Sequence, residues 1–303
     1  MTEPSAKTRC GFIALIGAPN AGKSTLLNAL VGAKVAIVSA KPQTTRMRVL
    51  GIANVGASQL IYVDTPGIFS PKRRLDRAMV RAAWEGAGDA DIVALVVDAA
   101  RKKVSEDTRE IVAKLKASDR PAVLILNKVD ATEPPRLLAI AAELNADFAF
   151  SDTFMVSALT GDGLDEVRRT FAERVAAGPW LYPEDQLSDL PTRLLAAEIT
   201  REQLYLQLGQ ELPYASTVEH EAWEEREDGS VAIRQAILVE RPGQKAIVIG
   251  KGGTRIKAIG EAARKALTEF LDRPVHLFLH VKVQEKWADD PSHYREVGLD
   301  WKS

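Results

Sequence analysis

Gly17-Ala18-Pro19-Asn20-Ala21-Gly22-Lys23-Ser24 decides the fold. An apolar run, Phe12 to Ile16, leads into it, and an amphipathic stretch, Lys23 to Val31, leads out. A strand, a glycine-rich turn of the form GxxxxGK[ST] and a helix together make a phosphate-binding P-loop. The glycines let backbone N–H groups cradle phosphates at the positive end of a helix dipole. Lys23 is placed to reach the β and γ phosphates, Ser24 offers its hydroxyl to Mg²⁺, and Thr25 completes the nucleotide-binding set. The octapeptide alone arises by chance in unrelated chains. The strand before it and the helix after it make this a nucleoside triphosphate site.

Working outward, Gln59 to Val63, Ile92 to Val97, Ala122 to Leu126 and Thr153 to Val156 read as further strands. They are nearly all apolar, as strands buried on both faces are. Helical patterns separate them: about Leu75 to Glu85, Ser105 to Lys116, Pro134 to Leu144 and Leu164 to Val175. The alternation predicts a doubly wound α/β domain with its ligand at the carboxyl ends of the strands. Three motifs stand at such ends. Asp64-Thr65-Pro66-Gly67 supplies the second acid on the Mg²⁺ side, and the Gly67 N–H can approach a γ-phosphate. Asn127-Lys128-Val129-Asp130 offers a carboxylate that accepts from guanine N1 and N2, a pair adenine lacks, so Asp130 selects GTP over ATP. Ser157-Ala158-Leu159 closes the last strand and is the weakest of the three signals. Each alone would pass as a turn; their order along the chain makes them a set.

The whole chain has 303 residues, 46% hydrophobic and 27% charged, with a formal net charge of −1. That length suggests two domains, and the composition excludes disorder and a uniformly basic nucleic-acid binder. The single cysteine, Cys10, suits a reducing compartment, and MTEPSAKTRC has no apolar core for a signal peptide. The rhythm breaks at Gly178 to Pro191, which reads as an ordered linker and puts a boundary near residue 180, with a nucleotide domain over 1–180 and a second domain over 181–303. The second domain reads as a helix (Thr192 to Leu208), two strands (Ser216 to Glu225, Val231 to Val239), a helical region (Lys245 to Leu271) and a strand (Val275 to Val283). Asp228-Gly229 marks a hairpin turn. Gly250-Lys251-Gly252-Gly253 is a GxxG between helical segments, and helix-strand-strand-helix-helix-strand is the type II KH order, whose GxxG loop clamps single-stranded RNA. From Arg241 to Lys286 ten basic residues meet four acids, whereas from Thr217 to Glu240 seven acids meet two arginines. Lys245, Lys251, Arg255 and Lys257 then make the loop's face the basic one and the candidate RNA contact, with Gly250, Gly252 and Gly253 admitting the backbone.

The ordered nucleotide motifs resemble the translation-factor-like class of P-loop GTPases. Lys41-Pro42-Gln43-Thr44-Thr45-Arg46 looks like the switch segment of the Era family, and Glu211 to Tyr214, Glu240 to Lys245 and Val281 to Trp287 are similar to it too, so the likeness runs from about Gly11 to Trp301. It implies a P-loop GTPase domain followed by an α+β KH domain. It implies that Thr45, beside Thr44 in the switch, reaches Mg²⁺ and reports the γ-phosphate. It also implies a monomer that binds the 3′ end of small-subunit ribosomal RNA and serves small-subunit assembly in the cytoplasm. Ile68 stands where Ras-like enzymes carry a water-orienting Gln, so intrinsic hydrolysis is slow or organised differently. Relatives with Asn at the Asn20 position use K⁺ in place of an arginine finger; Asn20 equally serves as a brace for the loop. No arginine finger can be picked out. The catalytic candidates are therefore Lys23, Thr45 and, through K⁺, Asn20.

Two other classes compete with an RNA-directed switch. One is an RNA-binding scaffold whose nucleotide is structural. The other is a membrane-surface GTPase, for which only Lys72 to Arg77 and Arg101 to Lys103 speak; these clusters allow peripheral contact with the inner face of the membrane but lack an amphipathic apolar face.

Overall fold

Strand β1 (Arg9–Ile16) lies between β3 (Ser58–Asp64) and β4 (Ile92–Asp98) and is parallel to both. This computed structural model describes residues 8–41, 43–71, 74–209 and 211–291. Pro42, Lys72, Arg73, the first seven residues and the end of the chain, Trp301 included, lie outside the described residues. Helix α1 (Lys23–Val31) follows β1, and β2 (Val49–Val55) pairs antiparallel with β3. Next come α2 (Arg74–Asp89), β4, α3 (Glu106–Ala117), β5 (Val123–Asn127), α4 (Pro134–Asp147), β6 (Thr153–Val156) and α5 (Leu164–Arg174). The six strands run in the order β2-β3-β1-β4-β5-β6. The winding reverses around β1, where sheets of this kind bind their ligands, at the strands' carboxyl ends. Ala14, Ile16, Leu95 and Val97 of the sheet pack against Ile111 and Leu115 of α3 and Ile140 and Leu144 of α4.

The sheet is mixed, not wholly parallel, because β2 runs against β3. No strand was expected over β2, since Gly51 and Asn54 dilute its β-branched character. Gly51 has a packing reason: a Cβ there would meet Leu27 and Val31 of α1 at 2.7 Å. The proline-rich stretch after α5 is bound to this sheet. Gln59, fully buried, accepts from the Leu181 and Tyr182 amides (2.9 and 3.0 Å) and donates to the Tyr182 carbonyl (2.9 Å). The Ile52 amide donates to the Leu187 carbonyl, and the Ser188 hydroxyl to that of Leu50.

The chain divides into two units. The first holds the residues up to Ala36 and Thr45–Asp189; the second begins at Leu190 and also counts Ile37–Thr44 as its own. The second unit contains α6 (Thr192–Gln207), β7 (Ser216–Glu225), β8 (Val231–Val239), α7 (Pro242–Ile249), α8 (Thr254–Leu271) and β9 (Val275–Val283). Its sheet runs β7-β8-β9, antiparallel then parallel. Gly229 turns the hairpin with φ 80°, and the Asp228 carboxylate accepts from the Ser230 amide and hydroxyl. Leu195 and Ile199 of α6 and Leu267 of α8 close over Val231, Ile233 and Val275. The helical region resolves into α7 and α8 on either side of the GxxG, as expected, because Gly250, Gly252 and Gly253 all have positive φ and cannot continue a helix. Among the described residues no helix is long and apolar enough to cross a membrane.

Candidate nucleotide site and nucleic-acid interface

The P-loop leaves β1 and enters α1 through backbone that only glycine fits. At Gly17 (φ 153°) a Cβ would lie 2.3 Å from the Val96 carbonyl oxygen; at Gly22 (φ 92°) it would lie 2.3 Å from the Asn127 side-chain nitrogen. Helix α1 has no side-chain N-cap and no acid in its first turn, so its amino end is open to an anion. Beside it Lys23 is buried, donating to the Gly17 and Ala18 carbonyls at 3.0 and 3.1 Å. These two acceptors are weak company for an ammonium, and burial pushes Lys23 down to about 8 against the pull of Asp64.

Three oxygens meet at one corner. The Ser24 hydroxyl donates to Asp64 Oδ2 at 2.6 Å, the Thr45 hydroxyl donates to the same oxygen at 3.2 Å, and the two hydroxyls stand 2.8 Å apart. Asp64 is fully buried, and its Oδ1 has no partner. Burial raises its pKa against the pull of the Lys23 ammonium. Hard oxygen donors with one orphaned carboxylate oxygen fit Mg²⁺, which takes few protein ligands and completes its shell with water and substrate phosphates. Among the described residues no group of three or more His, Cys, Asp or Glu could hold a metal ion. Thr44, though adjacent, turns away and donates to the Lys41 carbonyl at 2.8 Å.

The Asp64-Thr65-Pro66-Gly67 turn packs on the P-loop. The Thr65 hydroxyl donates to the Leu15 carbonyl (2.8 Å), the Ile68 amide donates to that of Gly17 (3.0 Å), and a Cβ on Gly67 would meet Pro19 Cα at 3.0 Å. Ile68 is buried in the core beneath, out of reach of any water at the phosphates. At the far end Asn127 is a hub: its amide donates to the Ala21 carbonyl (3.0 Å), and its oxygen accepts from the Lys128 and Ala158 amides (2.9 and 3.0 Å). Lys128 adopts φ 71° and donates to the Asn20 carbonyl and the Asp98 carboxylate (3.0 and 2.7 Å). Asp130 is exposed and accepts from the Ser157 hydroxyl at 2.5 Å, while Leu159 is 80% exposed. Thr25 sits half-buried on α1. The motifs, spread from Gly17 to Leu159 in sequence, are thus tied together by side-chain bonds.

Two groups here carried no sequence signal. Arg101, read only as part of a surface cluster, donates to the Pro19 carbonyl (3.2 Å) and pairs with Asp98 (3.6 Å). Asp98 itself ends β4 and orients Lys128.

In the second unit the GxxG residues form a 3₁₀ turn (Lys251–Gly253) between α7 and α8. Gly250 has φ 72°, and a Cβ there would meet Arg255 Cβ at 2.8 Å. Lys251, Gly252, Arg255 and Lys257 are exposed, whereas Lys245 and Gly253 are half-buried. Arg255 donates to the Ile247 carbonyl (3.1 Å), capping the preceding helix. Beside this turn a groove of about 310 Å³ is lined by Ile256, Lys257, Gly260, Glu261, Arg264 and the Leu277 and Leu279 side chains of β9, so one acid stands among its two cations. Apolar walls with cationic edges suit a nucleobase and its phosphate.

Comparison with known proteins decides the family. Residues 12–128 match a family described as 50S ribosome-binding GTPase, and residues 211–288 match the KH domain. GTPase Era of Bradyrhizobium diazoefficiens is 58% identical over 299 residues, covering 99% of this chain and 97% of that protein. GTPase Era of Rhizobium meliloti is 60% identical over 294 residues, covering 97% and 94%. The chain belongs to the Era family. Two solved Era structures superpose at a TM-score of 0.90, each covering 96% of this chain and 99% of the other. One, a variant from Aquifex aeolicus bound to GDP·AlF4⁻, is 37% identical; the other, 38% identical, is a complex with MgGDPNP and nucleotides 1506–1542 of 16S ribosomal RNA. As an Era-family GTPase the chain binds GTP and GDP and hydrolyses the first to the second.

Proposed function

We propose that this chain is a GTP-driven switch that binds the 3′ end of small-subunit ribosomal RNA and serves assembly of that subunit. The observation that carries it is the corner where the Thr45 hydroxyl meets Ser24 and Asp64, a position where a bound γ-phosphate would be felt. Support for the RNA comes from the similar Era complex with 16S ribosomal RNA and from the exposed cations around the GxxG turn. Lys23 leaves its two carbonyls to hold the β and γ phosphates, the Gly67 N–H contacts the γ-phosphate, and Asp130 with the Ser157-Ala158-Leu159 turn selects guanine. Ser24, Thr45 and, through water, Asp64 would hold Mg²⁺, which when bound would neutralise charge developing on the phosphates. Lys245, Lys251, Arg255 and Lys257 face the RNA backbone, which passes close at Gly250, Gly252 and Gly253.

Ile68 is aliphatic and buried, so it cannot orient the attacking water by hydrogen bonding. The family likeness implies that Asn20 serves K⁺, which would supply positive charge at the phosphates; its left-handed backbone (φ 64°) is equally a reason for Asn as a loop brace. Exchanging K⁺ for Na⁺ slows hydrolysis if the assignment holds, and an unchanged rate leaves only the brace. The functional division is a nucleotide part to about residue 180 and an RNA part beyond it; the matched families, over 12–128 and 211–288, fall on either side of that boundary. A ribosomal RNA target supports a cytoplasmic location, and every group used comes from one copy. A membrane contact gains no support: Arg101 is committed to Pro19 and Asp98.

Single-turnover phosphate release, with and without an oligonucleotide of the small-subunit 3′ end, tests this function. A switch responds to RNA. An unchanged rate, with RNA bound, leaves a scaffold with a structural nucleotide.

A further inference from the structure

Helix α6 carries a buried charge that neither the phosphate corner nor the GxxG turn uses. Arg201 is 1% exposed. One turn back, Glu198 accepts from its Nε at 2.8 Å and its Nη2 at 2.5 Å, and the Tyr205 ring centre lies 5.1 Å from the guanidinium carbon. Nη2 also donates to the Thr44 carbonyl, and Nη1 has no partner. Burial opposes the charge, and Glu198 more than restores it, so the pKa stands above its ordinary value. A buried ion pair is a poor source of stability, and apolar side chains commonly replace one at no loss. What the pair holds is therefore the better guide to its use.

It holds the backbone immediately before Thr45. Three more contacts bind the same segment to α6. The Val38 amide donates to the Glu202 carboxylate at 2.8 Å. The Lys41 ammonium donates to the Tyr205 carbonyl and, at 2.5 Å, to that of Leu208, groups at the helix's open carboxyl end. The Tyr205 hydroxyl donates to the Gln43 carbonyl at 3.1 Å. All these partners lie in the second unit, which counts Ile37–Thr44 as its own, whereas Thr45 is counted in the first. One peptide bond thus separates the acceptor of Arg201 from the residue whose hydroxyl meets Ser24 and Asp64.

We infer that Arg201 is a positioning residue for the GTPase switch: by holding the Thr44 carbonyl it presets Thr45 at the phosphate corner, so the second unit favours the GTP-bound state over the GDP-bound one. This rests on Thr45 reporting the γ-phosphate, as proposed above. Coupling of this kind is reciprocal, so a bound γ-phosphate in turn tightens the segment on α6.

The test measures GDP and a non-hydrolysable GTP analogue, with Mg²⁺, on full-length wild type, Thr45→Ala, Arg201→Met, Arg201→Lys and Lys41→Met. In Arg201→Met, GDP affinity stays within about twofold and analogue affinity falls about tenfold, inside the usual range of allosteric couplings. Arg201→Lys, which keeps a donor, recovers part of the loss. Lys41→Met releases two contacts from a half-buried position and shifts the ratio the same way. An unchanged analogue-to-GDP ratio in Arg201→Met, or equal losses for both nucleotides, overturns the inference; should that variant not fold by circular dichroism, Lys41→Met decides on the same terms. If Thr45→Ala leaves the wild-type ratio untouched, the switch reading itself has failed. If Thr45→Ala changes the ratio and Arg201→Met does not, only the clamp has failed.

Discussion

Asp130 stands exposed at the guanine end of the site while Asn127, three residues before it, is buried. The difference separates their work: Asn127 ties three loops together, and Asp130 is left to read the base. Asp130→Asn exchanges an acceptor for an amide, so preference shifts from GTP toward xanthosine triphosphate in competition binding. A variant that still prefers GTP removes Asp130 from base selection. The same contrast explains which residues were legible in the sequence. Gly17, Gly22 and Gly67 are demanded by local backbone and close approach, and Lys23 and Ser24 stand at fixed offsets from them. Arg101 and Arg201 act through partners far along the chain, Pro19 for one and Thr44 for the other. No local pattern distinguishes them from surface arginines.

Among the elements, those with a strong period were readable to within a few residues. Helix α1 and strands β6 to β9 lie where periodicity puts them, whereas β2 was invisible because its Gly51 answers to the packing of α1 and not to strand propensity. The proline-rich stretch to Asp189 reads as an ordered linker by composition, and Gln59 is what orders it, anchoring it to β3. Gln59→Leu would leave the Leu181 and Tyr182 amides without their acceptor. The expected loss is about 1–3 kcal/mol in denaturant unfolding, with GDP affinity unchanged, since the phosphate loop is not touched. Wild-type stability would mean that water serves those amides as well. The GxxG turn is an element of a different kind, defined by positive φ at Gly250, Gly252 and Gly253. Changing Lys251 and Gly252 together to Asp puts two carboxylates where RNA phosphate would pass, in open space around Gly252. RNA binding should be lost with circular dichroism and GTP affinity preserved. Lys251→Ala alone should reduce the salt dependence of RNA binding by about one unit of slope. Wild-type RNA affinity in the folded double variant would show that this turn does not contact RNA.

At the scale of the molecule, a short segment between α1 and β2 belongs in sequence to the nucleotide part and in packing to the unit that carries the KH sheet. No sequence pattern announces this, because Lys41 to Arg46 reads only as a polar loop with a family likeness. If the switch reading holds, this stretch is where the second unit reaches the nucleotide switch, and ligands that bias one element in common influence each other. The most direct measurement is the affinity of the full chain for an oligonucleotide of the small-subunit ribosomal RNA 3′ end, taken with the protein loaded with a non-hydrolysable GTP analogue and again with GDP. A nucleotide-driven RNA switch predicts tighter binding in the analogue state by at least about fivefold, the low end of common couplings. Equal affinity in the two states, with both nucleotides shown to be bound, would contradict it.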